Sequence, residues 1–404
     1  MCKNKKRILF YSHDAYGMGN IRRTLAICNH LTNTVPNISI LLLTGSPVIH
    51  SLRIPNGVDY IKLPCLTRNS SECFRAKYWD MSLSELIDIR SDLILSAVKS
   101  FNPDMVVVDK KPLGIKREFE PALTYLKQNL KTKVVLGLRD ILDAPSVTVP
   151  IWKRNHYFDI IEDSYDAVWI YGAKDIFDTV EEYEMPDAVA AKAVFTGYLG
   201  RPQSERKRLE IRTELGLNGH VFSLVMVGGG GDGYSIMKTF VEGVKADHEK
   251  YHMDSLLLTG PEMPEEKRFA LENDCRNGHP MRMKEFSDSV EDLLVAADVV
   301  VSMGGYNSTC EILSSKKKAL IIPRVRPVKE QYIRTKRLAE LGLVNMIHPD
   351  ELNASALLQA IMETSNQSHL TENVDERIDL NGLFRIEQLT NEILGCYDEI
   401  RSYN

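Results

Sequence analysis

Short apolar runs rich in β-branched residues recur along the chain, separated by longer stretches of helical spacing. In the first half they fall at residues 7–12, 38–44, 58–63, 105–109, 133–138, 167–171 and 193–196. A second series occupies 221–227, 255–259, 281–286, 298–302, 319–323 and 343–347. These runs are continuous rather than alternating, which predicts strands buried on both faces of a parallel sheet, with helices between them. Between the two series, Gly197-Tyr-Leu-Gly-Arg-Pro202 breaks the pattern, and the charged segment 204–214 predicts a surface helix. The pattern therefore predicts a Rossmann-like domain over 1–196, a linker over 197–203 and a second Rossmann-like domain over 204–380. In the last segment, 381–404, residues Leu383, Ile386, Leu389, Ile393, Tyr397 and Ile400 recur at gaps of three and four, predicting one long helix up to residue 403.

Composition narrows the function. The 404 residues carry 50 Lys plus Arg against 55 Asp plus Glu, a net charge of −5, and 44% are hydrophobic. Two domains of this size each bury a core, and the near balance of charge offers no field for a polyanion, so nucleic acid is not the expected partner. Behind the basic start Lys3, Lys5, Lys6, Arg7, the apolar run stops at Tyr11, too short for a secretory segment. No stretch reaches the roughly 18 apolar residues of a membrane helix. Seven scattered cysteines without a C-x-x-C pair argue against a disulfide framework or zinc knuckle. A cytoplasmic protein is expected, with peripheral membrane contact and oligomeric state left open.

Four motifs carry candidate chemistry. Val225-Met-Val-Gly-Gly-Gly-Gly-Asp-Gly233 is a strand, then glycines, then a helical pattern, so Gly228, Gly229 and Gly230 let backbone approach a phosphate at a helix start. Gly228, Gly230 and Gly233 also satisfy G-x-G-x-x-G, but the next strand ends Leu258-Thr259-Gly260 without the carboxylate that a nicotinamide ribose needs. Residues 297–311 repeat the design: a strand, Gly304-Gly305, then Asn307, Ser308 and Thr309 opening a helix as a second phosphate site. Glu311 then accepts from ribose hydroxyls, or alternatively serves as a capping-box glutamate. In Leu320-Ile-Ile-Pro-Arg-Val-Arg-Pro-Val-Lys-Glu-Gln331, Glu330 and Gln331 suit sugar hydroxyls while Arg324 and Arg326 suit phosphate; a solvated loop is the alternative. At residues 10–24, His13 and Asp14 end a strand, where open α/β sheets place catalytic side chains, and Gly17, Gly19 and Asn20 follow.

These motifs resemble glycosyltransferases of the GT-B type. The chain is similar to glycosyltransferase family 28, which includes the peptidoglycan N-acetylglucosaminyltransferase, and to bacterial glycosyltransferases opening with His-Asp-Ala-Tyr-Gly. The likeness is strongest in Phe286-Ser-Asp-Ser-Val-Glu-Asp-Leu-Leu, in 297–311 and in 323–331, with His13 to Arg23 as the N-terminal match. It implies an α/β fold of two Rossmann-like domains facing across a cleft, with a C-terminal helix crossing back to the first. It also implies a nucleotide-diphosphate sugar donor, UDP-sugar favoured. Phe286 would line the base pocket, Gly304 to Thr309 and the Gly228 loop would cradle the diphosphate, Glu311 would hold the ribose, and Glu330 with Gln331 would contact the sugar. The first domain would supply the acceptor site, to which Gly17, Gly19, Asp109 and Arg139 belong, for a small-molecule or lipid-linked acceptor. No cofactor or metal is expected, and the chain holds no D-x-D pair.

One departure matters. The family places a histidine, the general base for inverting transfer, where this chain has Asn20, and an amide takes up no proton at neutral pH. Asp14 or His13 is the expected replacement; an acceptor needing no strong base, or a protein that binds without transfer, are the other readings. A sugar-nucleotide epimerase or hydrolase of the same fold is the rival enzyme. Asp109, Arg139 and Asp140, at two strand ends, face the acceptor or form ion pairs fixing loops, while Trp152 and Tyr157 stack on an acceptor or pack internally.

Overall fold

The computed structural model describes residues 5–14, 17–68, 74–128, 131–217, 219–247, 252–275 and 281–396. The chain forms two compact units, one of Met1–Leu199 with Asn381–Asn404, the other of Gly200–Leu380.

The first unit is built on a seven-stranded parallel sheet. Its strands are β1 (Lys6–Ser12), β2 (Ile38–Thr44) and β3 (Val58–Lys62), then, after a short antiparallel hairpin of β4 (Leu66–Arg68) and β5 (Phe74–Ala76), β6 (Met105–Asp109), β7 (Lys133–Arg139), β8 (Ala167–Tyr171) and β9 (Ala193–Phe195). Their order is β3-β2-β1-β6-β7-β8-β9. Central strands are apolar on both faces because helices cover both: β6, MVVVD, is buried throughout. The hairpin went unforeseen because three-residue strands carry almost no periodicity. Helix Gly19–Thr34 follows β1 and buries Ile21, Leu25, Cys28 and Leu31 at gaps of three and four. Helix Leu83–Phe101 starts at a capping box of Ser82 and Glu85 and ends at Asn102 in the left-handed conformation.

The second unit repeats the plan with six parallel strands: β10 (Val221–Met226), β11 (Met253–Leu258), β12 (Met281–Lys284), β13 (Val299–Ser302), β14 (Ala319–Ile321) and β15 (Asn345–Met346), ordered β12-β11-β10-β13-β14-β15. Val225, Leu257 and Val301 from its centre pack with Met237, Phe240, Leu357 and Ile361 from covering helices. The surface helix predicted over 204–214 forms at Arg208–Glu214.

The C-terminal helix runs over Gly382–Leu394 and is shorter than its apolar spacing predicts. Gly395, at φ 67°, takes the left-handed conformation that ends a helix, which spacing alone does not register. Tyr397 and Ile400 lie outside the described residues. The helix belongs to the first unit, where Glu387 pairs with His30 at 2.9 Å and Arg385 donates to Thr196 O at 2.7 Å. The two crossings between units run antiparallel: Leu199 bridges Asn381, Gly382 N–H donates to Tyr198 O at 2.9 Å, and Gly200 N–H donates to Leu380 O at 3.2 Å.

Candidate active site

Strand order in the second unit reverses between β10 and β13, which leaves a crevice at the carboxyl ends of those two strands. Both glycine motifs sit there, 228–233 after β10 and Gly304-Gly305 after β13. Helix Tyr306–Ser314 begins at Gly305 with no side-chain cap, so its positive dipole end lies at the switch point. Gly304 has φ 68°, and a Cβ there would lie 2.7 Å from Thr335 Oγ1 and 2.8 Å from Ile321 Cγ2. The fully buried Arg334 fixes this turn by donating to Gly304 O at 3.1 Å while its guanidinium lies 5.6 Å from the Tyr306 ring centroid.

The glycine run after β10 has two physical reasons rather than one. Gly230, at φ 94°, packs its backbone directly on Thr259 and Gly260 of the loop after β11, where no Cβ fits, and Gly229 O accepts from Glu262 N–H at 2.7 Å. Gly228 differs: its φ is 66°, but a Cβ there meets nothing within 4 Å. Loop packing thus accounts for Gly230, whereas Gly228 faces open space.

The remaining donor-side candidates gather on neighbouring loops. After β14, Arg324 Nη1 meets Asp232 Oδ2 of the glycine loop at 2.6 Å and its Nη2 meets Glu330 Oε1 at 3.2 Å. Gln331 Oε1 accepts from the Arg324 backbone N–H at 2.9 Å, and Glu330 and Gln331 open helix Glu330–Glu340. Arg326 is exposed. Ser308, Thr309 and Glu311 are buried within Tyr306–Ser314. Asn307 Oδ1 accepts from Arg201 Nη2 at 3.0 Å, and Arg201 Nη1 is buried without a hydrogen-bond partner. Arg201 falls in the segment whose sequence predicts a linker, and its contact with Asn307 spans 106 positions. Phe286 follows β12 with 43% of its surface exposed.

In the first unit, the strand order reverses between β1 and β6. The buried His13 and Asp14 end β1. Strand register sets Ser12 beside Thr44, and the Thr44 hydroxyl donates to Asp14 Oδ2 at 2.5 Å. Burial raises the Asp14 carboxyl to about 6; the Thr44 and Ser12 hydroxyls pull it down, Asp109 pushes it up and Arg23 lowers it. Asn20 donates through Nδ2 to His13 O and accepts through Oδ1 from Arg23 Nη2 at 3.2 Å, so it ties the strand end to its own helix. Arg23, also buried, pairs with Asp109 at 2.5 Å, and its guanidinium lies 5.8 Å from the Tyr171 ring centroid. Asp109 is thus an ion-pair member, the second of its two expected roles. Gly17 has φ 72°, and a Cβ at Gly19 would meet nothing within 4 Å.

A second buried network lies alongside: Arg90 Nε meets Glu118 Oε2 at 2.5 Å, Tyr11 Oη donates to Glu118 Oε1 at 2.5 Å, and Arg90 also donates to Pro64 O. Neither pair was legible beforehand, since arginines on helices read as surface residues. Arg139 is half-buried, and Asp140 accepts from Tyr198 Oη at 2.7 Å. Trp152 and Tyr157 are buried edge to face at 5.8 Å and serve as packing. Among the described residues no group of three His, Cys, Asp or Glu side chains could hold a metal ion, and no helix is long and apolar enough to cross a membrane.

Residues 224–386 match the glycosyltransferase family 28 C-terminal domain, which spans both glycine motifs and the Arg324 loop. A solved MurG from Acinetobacter baumannii superposes with TM-score 0.58 at 15% identity, covering 96% of this chain and 99% of that one. The chain has the GT-B fold. A protein described as a UDP-N-acetylglucosamine 2-epimerase from Listeria monocytogenes shares this architecture at TM-score 0.64 and 13% identity, covering 96% of each chain. By sequence, the N-acetylglucosamine transferase of Sulfurihydrogenibium that acts on N-acetylmuramyl-(pentapeptide) pyrophosphoryl-undecaprenol is 31% identical over 115 residues. That match covers 28% of this chain and 33% of the relative, so the chain spans about a third of the relative's length.

Proposed function

We propose that this GT-B protein is a glycosyltransferase moving a sugar from a nucleotide-diphosphate sugar, UDP-sugar favoured, to a hydroxyl or amine of a small-molecule or lipid-linked acceptor. The observation that carries this reading is the Gly304-Gly305 turn into helix Tyr306–Ser314 at the switch point of the unit that matches family 28. The diphosphate is held there by backbone amides, with Gly228 facing it and Arg201 adding a cation beside Asn307. Phe286 stacks on the base, Glu311 holds the ribose, and Glu330 with Gln331 meets the sugar. These donors neutralise the leaving group, so transfer proceeds without a metal or other cofactor.

Asp14 replaces the base that Asn20 cannot supply. A carboxyl titrating at about 6 is largely ionised at neutral pH yet basic enough to accept a proton. The acceptor O–H or N–H passes its proton to Asp14 as the acceptor atom attacks the anomeric carbon. The bond from that carbon to the diphosphate breaks and nucleoside diphosphate departs, inverting the centre.

Incubating the protein with a panel of nucleotide sugars, with and without cell extract, tests the reading. Nucleoside diphosphate released only with extract, together with a new glycoside, supports transfer. A changed or hydrolysed sugar without extract supports the rival enzyme of the same fold, an epimerase or hydrolase. Binding without release supports a noncatalytic sugar-nucleotide-binding protein.

A further inference from the structure

The first sheet ends at β3, and beyond its last residue, Lys62, lies a cavity of about 130 Å³. Pro64, Ala76 and the buried Leu86 give it apolar walls, and Tyr78 and Trp79, 68% and 52% exposed, complete the lining. Two adjacent exposed aromatics on an apolar cavity form a contiguous patch of the kind that meets a ligand. The walls are tied down. β4 and β5 pair Leu66 with Ala76, Lys77 N–H donates to Cys65 O at 3.1 Å, and the buried Arg90, held by Glu118, donates to Pro64 O. The volume suits a single ring, since a dry cavity of about 150 Å³ accepts benzene. Polar groups are few. Lys62 Nζ gives two of its three donors to Leu63 O at 2.6 Å and Cys65 Sγ at 3.1 Å, which leaves one for a ligand. A sugar ring brings several hydroxyls that this lining cannot pair, whereas an aromatic ring brings none.

Strand register relates the cavity to the candidate base. Lys62 stands opposite Thr44 on β2, and Thr44 opposite Ser12 on β1, so three strand ends form a row about 10 Å long, two strand spacings. Gly45 bridges the interval: its O accepts from Cys65 Sγ at 3.4 Å, and a Cβ on it would lie 2.9 Å from Asp14 O. We propose that this cavity is an acceptor subsite for one aromatic ring, in a molecule whose reacting hydroxyl or amine lies roughly 10 Å from that ring. Trp79 stacks on the ring, and the Lys62 ammonium favours an acidic substituent on it, such as a carboxylate. This rests on the glycosyltransferase reading above and narrows its acceptor to an extended aromatic compound.

Saturation-transfer NMR titrations of the intact chain with benzoate, benzyl alcohol, cyclohexanecarboxylate and glucose test the subsite. Benzoate should bind tightest, about threefold to tenfold ahead of benzyl alcohol for its charge and of cyclohexanecarboxylate for its flat ring, with glucose undetected. Ala76→Leu, which takes up part of the cavity, and Trp79→Ala, at an exposed position, should each weaken benzoate at least about fivefold. Lys62→Gln should erase the lead of benzoate over benzyl alcohol. UDP binding, assigned to the second unit, should be the same in all three variants. In the extract assay above, benzoate should compete with the acceptor and not with the nucleotide sugar. No benzoate binding by wild type, equal binding by folded Ala76→Leu and Trp79→Ala, or inhibition indifferent to acceptor concentration overturns the subsite and leaves the sugar-nucleotide reading intact. Failure to bind UDP, or to release it from any nucleotide sugar, overturns that reading and with it the acceptor role of the cavity, even where benzoate binds.

Discussion

Asp14 carries the clearest consequences at the scale of single residues. Its carboxyl is raised by burial from 3.8 to about 6, so a transfer reaction that uses it as base should gain rate as pH rises through 6 and then level off. Initial rates of the Asp14→Asn variant should lack that limb and fall by 10²- to 10⁴-fold, the usual worth of a positioned base. An unaltered profile would move the role to His13 or to the acceptor itself. Thr44→Val removes a hydrogen bond that lowers the carboxyl, so the limb should move to higher pH. The sign for stability follows from the same shift. Between about 4 and 6 the folded chain holds a proton that the unfolded chain has lost, so stability falls as pH rises through that window. Asp14→Asn should therefore be more stable than wild type at pH 7, by up to roughly 3 kcal/mol in denaturant titrations, and near parity at pH 4. His13 and Asp14 were legible because an apolar run ends just before them. Their partners were not, because Thr44 lies 30 positions away and the Arg23–Asp109 pair spans 86.

At the scale of elements, the strands were legible wherever a buried run of four or more apolar residues repeated, as in β6 or β10, and faint where runs were short. The glycine loop shows what a motif leaves unresolved. One run of four glycines holds a position that packing requires beside one that it does not, and the loop after β11, some thirty residues on, tells them apart. Gly230→Ala should therefore lower the melting temperature of the second unit sharply, since backbone on both sides would have to move. Gly228→Ala should cost about 1 kcal/mol for its positive φ, leave the unit folded, and weaken nucleoside diphosphate binding in calorimetry. Equal melting losses in the two variants would contradict this division.

For the whole molecule, the break near residue 200 was legible from Gly197 to Pro202, but the return of the chain at Asn381 to complete the first unit is a matter of contacts such as His30 with Glu387. Truncation after Leu380 should thus raise amide exchange in helix Gly19–Thr34, at the far end of the sequence, while helix Tyr234–Asp247 of the second unit keeps its protection. Because Gly200 and Leu380 are hydrogen-bonded to each other, the second unit leaves and re-enters at one point, like a cassette held by adjacent clips. Its removal would leave Leu199 already bridged to Asn381, a gap that a short turn can close. Residues 200–380 should therefore graft between relatives as one piece, leaving the first unit uncut.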